Sequence, residues 1–293
     1  MGAKKQKYTK NSATSNDGTI IGYRQMGSGP GIILMHGGIQ AAQNLMKLGT
    51  ALSDEFTVYI PDRRGRGLSG AFGDNYGQQK ETEDLDALLK KTGAHYLFGV
   101  ATGALIILQS SLTLPSIHKV ALYEPHLYVN KSEMERFNQL MQRMDKEIAE
   151  GKLKSAMVTG LDVDTKVSGD KPPYSLLYHM PRSIWKLIFA FILAVYESNT
   201  KGDDVQLKDL MPTLHYDLML VNETEGKLES FKDVSAEVLL LGGSKSPLIL
   251  KHSLDGLNKV LPHVHRIELK GLDHKATLYG KPEIARELKK FFL

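Results

Sequence analysis

The chain has no cysteine in its 293 residues, which excludes disulfides and thiolate-ligated metal sites but does not by itself identify a compartment. Excess charge is also missing. Thirty-seven basic residues stand against 33 acidic ones, a net +4 spread along the sequence, too small and scattered for a nucleic-acid-binding face. The longest apolar run, Leu187–Tyr196, falls short of the roughly 20 residues that cross a bilayer. Lys4, Lys5, Lys7 and Lys10 open the chain without the apolar core of a signal peptide, so a solvated flexible tail and a cytoplasmic setting are expected. No internal repeat or low-complexity tract is present. A hydrophobic content of 42% at this length is enough for a large buried core.

One absence is chemical. Ala94–Val100 reads as a short apolar strand and Ala104–Leu108 opens a helix. Between them Gly99-Val100-Ala101-Thr102-Gly103 has the form glycine, x, nucleophile, x, glycine. In such a turn the glycines permit close approach of strand and helix, and the central side chain is held in strained geometry above the sheet. Here that side chain is a methyl group. Around the turn lie Asp17-Gly18-Thr19 before a strand at Ile20–Tyr23, a glycine-rich turn at 27–31 before Ile32–Met35, then His36-Gly37-Gly38. A strand at Phe56–Ile60 leads into Pro61-Asp62-Arg63-Arg64-Gly65-Arg66-Gly67-Leu68-Ser69-Gly70.

In order and spacing these segments resemble the α/β-hydrolase fold family over most of the chain. The resemblance implies a mostly parallel central sheet with helices on both faces, residues 1–125 and 233–293 forming the core and 126–232 an inserted helical cap. It places the nucleophile position at Ala101. The oxyanion donors are expected to be backbone N–H groups, Thr102 for one and Gly38 or Ile39 for the other. Thr102 itself is one position too late to attack, its side chain being expected to point away from the pocket.

Ten histidines compete for the role of general base. The family places it in the loop after the strand Val264–Leu269, which here reads Gly271-Leu272-Asp273-His274 before a final helix at Pro282–Phe292, and this selects His274. His36 belongs to the oxyanion loop. His263 and His265 share one side of a strand without a third ligand, so no metal site is expected; the remaining histidines are assigned to the surface or the cap. The orienting acid is absent from its usual turn, Gly242-Gly243-Ser244-Lys245-Ser246-Pro247. Glu124, at the end of the strand Lys119–Tyr123, is taken in its place, and Asp273 is expected to point elsewhere.

Within the cap a helix is predicted from Met134 to Leu153, and the apolar run after Leu187 is expected to roof a greasy pocket. Gly37, Trp185 and Phe189 are assigned to substrate binding. The expected ligand is a small-molecule ester, lactone or ketone with a moderately large apolar body, with no cofactor, no nucleic acid and no membrane span. Three explanations of Ala101 compete: an engineered knock-out, a natural enzyme using a His–Glu dyad for cofactor-free lyase, cyclase or oxygenase chemistry, and a catalytically silent binding protein. Glycine would relieve the strain of the elbow, so drift offers no reason for alanine. The engineered replacement of a serine is favoured, with aspartate, used by epoxide hydrolases and dehalogenases of this fold, as the other parent residue.

Overall fold

The computed structural model describes residues 8–127, 129, 131–166 and 181–293. Its centre is an eight-stranded sheet: β1 (Thr9–Thr14), β2 (Ile20–Gly27), β3 (Gly31–Met35), β4 (Thr57–Pro61), β5 (Tyr96–Val100), β6 (Lys119–Tyr123), β7 (Glu237–Gly243) and β8 (Val264–Leu269). The spatial order is β1-β2-β4-β3-β5-β6-β7-β8. β2 runs antiparallel to both β1 and β4, and the other pairs are parallel.

The two-residue period of a strand divides the apolar runs between two layers. Ile33 and Met35 of β3, Leu97 of β5, Val120 and Leu122 of β6, and Val238 and Leu240 of β7 pack with Leu85 and Leu88 of α2 (Gln78–Thr92), Leu105 and Ile106 of α3 (Thr102–Ser110), and Leu254 and Leu257 of α9 (Leu248–Val260). The alternate residues face the other way. Ile32, Leu34, Phe98, Val100, Ala121, Tyr123, Leu239 and Leu241 meet Leu48 and Leu52 of α1 (Met46–Leu52), and Ile284 and Leu288 of α10 (Pro282–Phe292).

β6, β8 and the last helix have the limits read from the sequence. β1 was not foreseen, because Thr-Lys-Asn-Ser-Ala-Thr buries only Ala13 and carries no apolar alternation; polarity of this kind suits a sheet edge. Lys10, assigned to a flexible tail, lies in this strand and bonds to Asp203 at 3.1 Å. Lys4, Lys5 and Lys7 fall outside the described residues.

Between β6 and β7 the chain forms α4 (Lys131–Ala149), α5 (Leu153–Lys166), α6 (Arg182–Asn199), α7 (Leu207–Leu210) and α8 (Leu214–Asn222). The helix expected to reach Leu153 stops at Ala149 because Gly151, at φ +71°, turns the backbone into the left-handed region. Phe137, Met141, Met144 and Ile148 form one stripe of α4 and pack with Met211 and Leu214, with Ile249 and Leu250 of α9, and with Ile39 from the loop after β3. α6 carries the apolar run expected to roof a pocket. Phe189 is its one buried residue, while Leu187 and Phe191 are 72% and 70% exposed. Among the described residues no helix is long and apolar enough to cross a membrane.

The junction of β5 with α3 makes a stability prediction. A Cβ at Gly103 would lie 2.5 Å from the carbonyl oxygens of both Met35 and His36, whereas one at Gly151 meets nothing within 4 Å. Gly103→Ala should therefore cost about 1–3 kcal/mol or more, and Gly151→Ala about 1 kcal/mol from its backbone conformation alone. Urea denaturation of the two variants measures this, and equal losses would contradict the close approach.

Candidate active site

Ala101 sits at φ +49°, ψ −114°, between β5 and α3. Such a conformation costs an L-residue on the order of 1–3 kcal/mol and persists only where its surroundings impose it. They do so here. The Ala101 N–H donates to the Tyr123 carbonyl at 3.0 Å, its own carbonyl accepts from Leu105 N–H at 3.0 Å, and a Cβ at Gly99 would lie 2.6 Å from the Ala104 backbone. The loop after β3 closes over the elbow, so that a Cβ on Gly37 would be 3.2 Å from the Ala101 methyl.

That loop is held by its own polar contacts. Arg63 N–H donates to His36 Nε2 at 3.1 Å, which leaves the proton on Nδ1 to meet the Gly37 carbonyl at 2.9 Å. Burial and the nearby Arg66 and Arg63 keep this imidazole neutral, its pKa well below the usual value. Gly37 N–H donates to Gln40 Oε1 at 3.0 Å. Ile39, at φ +52°, gives its N–H to Asp217 Oδ2 at 3.0 Å. This separates the two amides that the sequence left equivalent: Ile39 is engaged, whereas neither Gly38 N–H nor Thr102 N–H donates to an acceptor among the described residues.

Glu124 and His274 are brought together. Glu124 is fully buried at the end of β6, with Oε2 accepting from His274 Nδ1 at 2.7 Å and Oε1 from Gly243 N–H at 2.6 Å. A carboxylate at Nδ1 fixes the tautomer and leaves Nε2 as the basic nitrogen. The bare backbone of Gly242-Gly243 makes room for this pair. A Cβ at Gly242 would meet Leu254 at 2.4 Å and Glu124 Oε1 at 3.3 Å, and one at Gly243 would meet the Leu272 carbonyl at 2.3 Å. Asp273 turns away and caps its own turn by accepting from Lys275 N–H at 3.0 Å, while its carbonyl accepts from Tyr123 OH at 2.7 Å.

Two residues of this neighbourhood were missed. His126, two positions beyond Glu124 and the first residue of the expected cap, is given no role at the site by the sequence. It stacks on His274 with centroids 5.7 Å apart and planes 17° from parallel, and meets Phe137 of α4 edge-on at 6.1 Å. Burial, and then the proximity of His274, pushes its pKa down to about 3. Asp217, from α8, is the second; nothing in its sequence surroundings marks it. Trp185 and Phe189 touch each other on α6 at 5.9 Å, and no described contact joins them to Ala101 or His274. His263 and His265 lie with His118 and Glu237 in an open pocket at the opposite end of the strands from Ala101 and His274. Among the described residues no cluster of three His, Cys, Asp or Glu side chains is placed to hold a metal.

The order and direction of the strands agree with what comparison with known proteins finds. The family model described as serine aminopeptidase, S33, matches residues 30–170. The uncharacterized hydrolase YraK of Bacillus subtilis (strain 168) is 33% identical over 146 residues, 45% of this chain and 54% of that protein. The chain therefore spans about half the length of this curated relative. An α/β hydrolase from Sphaerobacter thermophilus DSM 20745 superposes with a TM-score of 0.75 at 25% identity, covering 97% of this chain and 100% of that one. The esterase RhEst1 from Rhodococcus sp. ECU1013 gives 0.67 at 18% identity, covering 96% and 98%. A Vigna radiata epoxide hydrolase mutant gives 0.69 at 17% identity, covering 98% and 99%. The chain has the α/β-hydrolase fold.

The stacked histidines predict a pH dependence. Because the His126 pKa falls from 6.5 to about 3 on folding, the unfolded chain binds a proton in that interval that the native state does not, and stability drops as pH falls through 6.5. His126→Phe keeps an aromatic partner but removes the titration. The pH dependence of its unfolding free energy between pH 6.5 and 4 should be shallower than the parent's by up to about 1.4 kcal/mol per pH unit. Parallel curves in urea titrations at several pH values would show that His126 does not titrate on unfolding.

Proposed function

We propose that this is the site of a serine-type esterase or lactonase in which alanine stands at the nucleophile position, with residues 126–232 as the cap over an apolar ester, lactone or ketone. The observation that carries the reading is the buried Glu124–His274 hydrogen bond, set beside an elbow that keeps its strained geometry around Ala101. With serine at 101, the hydroxyl would attack the carbonyl while His274 Nε2 takes its proton and later activates water. Glu124 would stabilise the imidazolium, and Gly38 and Thr102 N–H would receive the oxyanion. The serine aminopeptidase model and the esterase neighbour favour serine as the parent residue; the epoxide hydrolase neighbour supports aspartate as the other choice. As written, the chain would hold such a substrate without forming an acyl-enzyme. The stripe Phe137, Met141 and Met144, which packs against Ile39, supports an apolar ligand and is better placed than Trp185 and Phe189.

A second reading rests on the same hydrogen bond, because the Glu124–His274 pair is complete without any side chain at position 101. Such a dyad can abstract a proton from a bound substrate or water with no covalent step.

Ala101→Ser should turn over a short aryl ester and react with a fluorophosphonate probe, exceeding the parent's rate by up to about 10⁶-fold. Adding Glu124→Gln should lower that rate by about 10²–10⁴-fold with the melting transition still cooperative. Equal turnover with alanine and serine at 101 would remove the nucleophile from the scheme. Rapid conversion of a bound ester or lactone by the Ala101 protein, abolished by His274→Ala in mass-spectrometric assays, would establish the dyad reading instead.

A further inference from the structure

Gly38 has no side chain to fix its amide, so the direction of its N–H depends on the two peptides that flank it. On one side Gly37 N–H is tied to Gln40 Oε1 within the loop at 3.0 Å. On the other, the holder comes from the inserted helices. Asp217 of α8 accepts Ile39 N–H at 3.0 Å and sits so close that a Cβ on Gly38 would lie 3.1 Å from its Oδ2. Ile39 is β-branched and at φ +52°, a conformation that needs an external partner to persist.

Asp217 is in turn clamped from behind. Arg66 Nη2 reaches both carboxylate oxygens at 2.8 Å and Arg63 Nη1 reaches Oδ1 at 2.8 Å. These cations outweigh the effect of burial and hold the carboxyl below its usual pKa. Arg63 also supplies the backbone N–H that meets His36 Nε2, so one arginine steadies both ends of the tetrapeptide 36–39.

We propose that Asp217 is a positioning residue for the oxyanion site: carried on α8, it fixes the Gly38–Ile39 peptide and thereby aims Gly38 N–H over Ala101, so that the site is complete only when the inserted helices are docked. The inference rests on the reading of Gly38 as a donor to the substrate oxygen. It assigns the cap a share in catalysis besides that of a roof, and it differs from a simple salt bridge because the affected atom is a backbone amide of another loop.

Two measurements test it. In the Ala101 protein, hydrogen exchange over residues 36–41 should accelerate at least tenfold in Asp217→Ala and stay near the parent rate in Asp217→Asn, which keeps an oxygen for Ile39, while residues 102–110 of α3 remain protected. The pair Asp217→Ala, Arg66→Met removes one charge of each sign and should show the same local acceleration if the single variant does not fold. In the Ala101→Ser background, Asp217→Ala should lower kcat at least tenfold with KM within threefold, and Asp217→Asn should restore much of it. Unchanged exchange at 36–41, acceleration shared equally by α3, or an effect on KM alone would overturn the proposal. If Ala101→Ser proves inactive while the local exchange response is observed, the hydrolase reading fails and the positioning of the loop by Asp217 stands.

Discussion

The burial of the arginines that follow β4 constrains the rest of this molecule. Arg63, Arg64 and Arg66 are at most 3% exposed, as is Arg24 of β2, and a guanidinium removed from water is tolerated only opposite carboxylates. Arg63 therefore draws in Glu81 of α2 and Asp217 of α8, each at 2.8 Å. Arg64 draws in Asp84 at 2.6 Å and Asp17 at 3.0 Å. Asp62 takes the amides of Ala42 and Leu68. One short loop thus ties together α2, α8, the turn before β2 and the entry to α1. Removal of one partner from such a pair costs about 3–5 kcal/mol, although the intact pair contributes little net stability. The arrangement is also imperfect, since Arg66 Nε and Nη1 are buried without an acceptor among the described residues. Both facts favour placement of the elements, more than bulk stability, as what the network provides.

Placement matters because the elbow does not depend on its own central side chain. The φ of Ala101 is imposed by the Tyr123 carbonyl, by the first turn of α3 and by the space left at Gly99 and Gly103. None of these involves the side chain at 101, so the strain persists with a bare methyl group there. A serine at 101 would need no movement of the backbone.

Legibility in the sequence followed locality. β6 and β8 announce themselves by apolar residues bounded by turns, and Glu124 could be found because the end of β7 lacks an acid and the end of β6 has one. β1 gave no signal, since an edge strand of polar residues gains its order from the partner β2. His126 is close to Glu124 in sequence, but its stacking on His274 depends on a loop that follows β8. Asp217 was invisible for the same reason: its partners belong to the loops after β3 and β4. The choice between Gly38 and Ile39 could not be made until that side chain was placed.

The position of the acid shows how a substitution at one strand end requires another. β6 and β7 are parallel neighbours, with Tyr123 opposite Leu241, so a carboxylate just beyond either strand approaches the loop that carries His274 from nearly the same level. Only one can do so. A side chain at 243 would drive its Cβ to within 2.3 Å of the Leu272 carbonyl and one at 242 would press on Glu124 itself, while the Gly243 N–H is needed by Glu124 Oε1. The glycine pair is therefore the structural complement of Glu124. A side chain at either glycine would require the histidine loop to withdraw or Glu124 to shift, which is why the glycine pair after β7 and the glutamate after β6 are read as one feature.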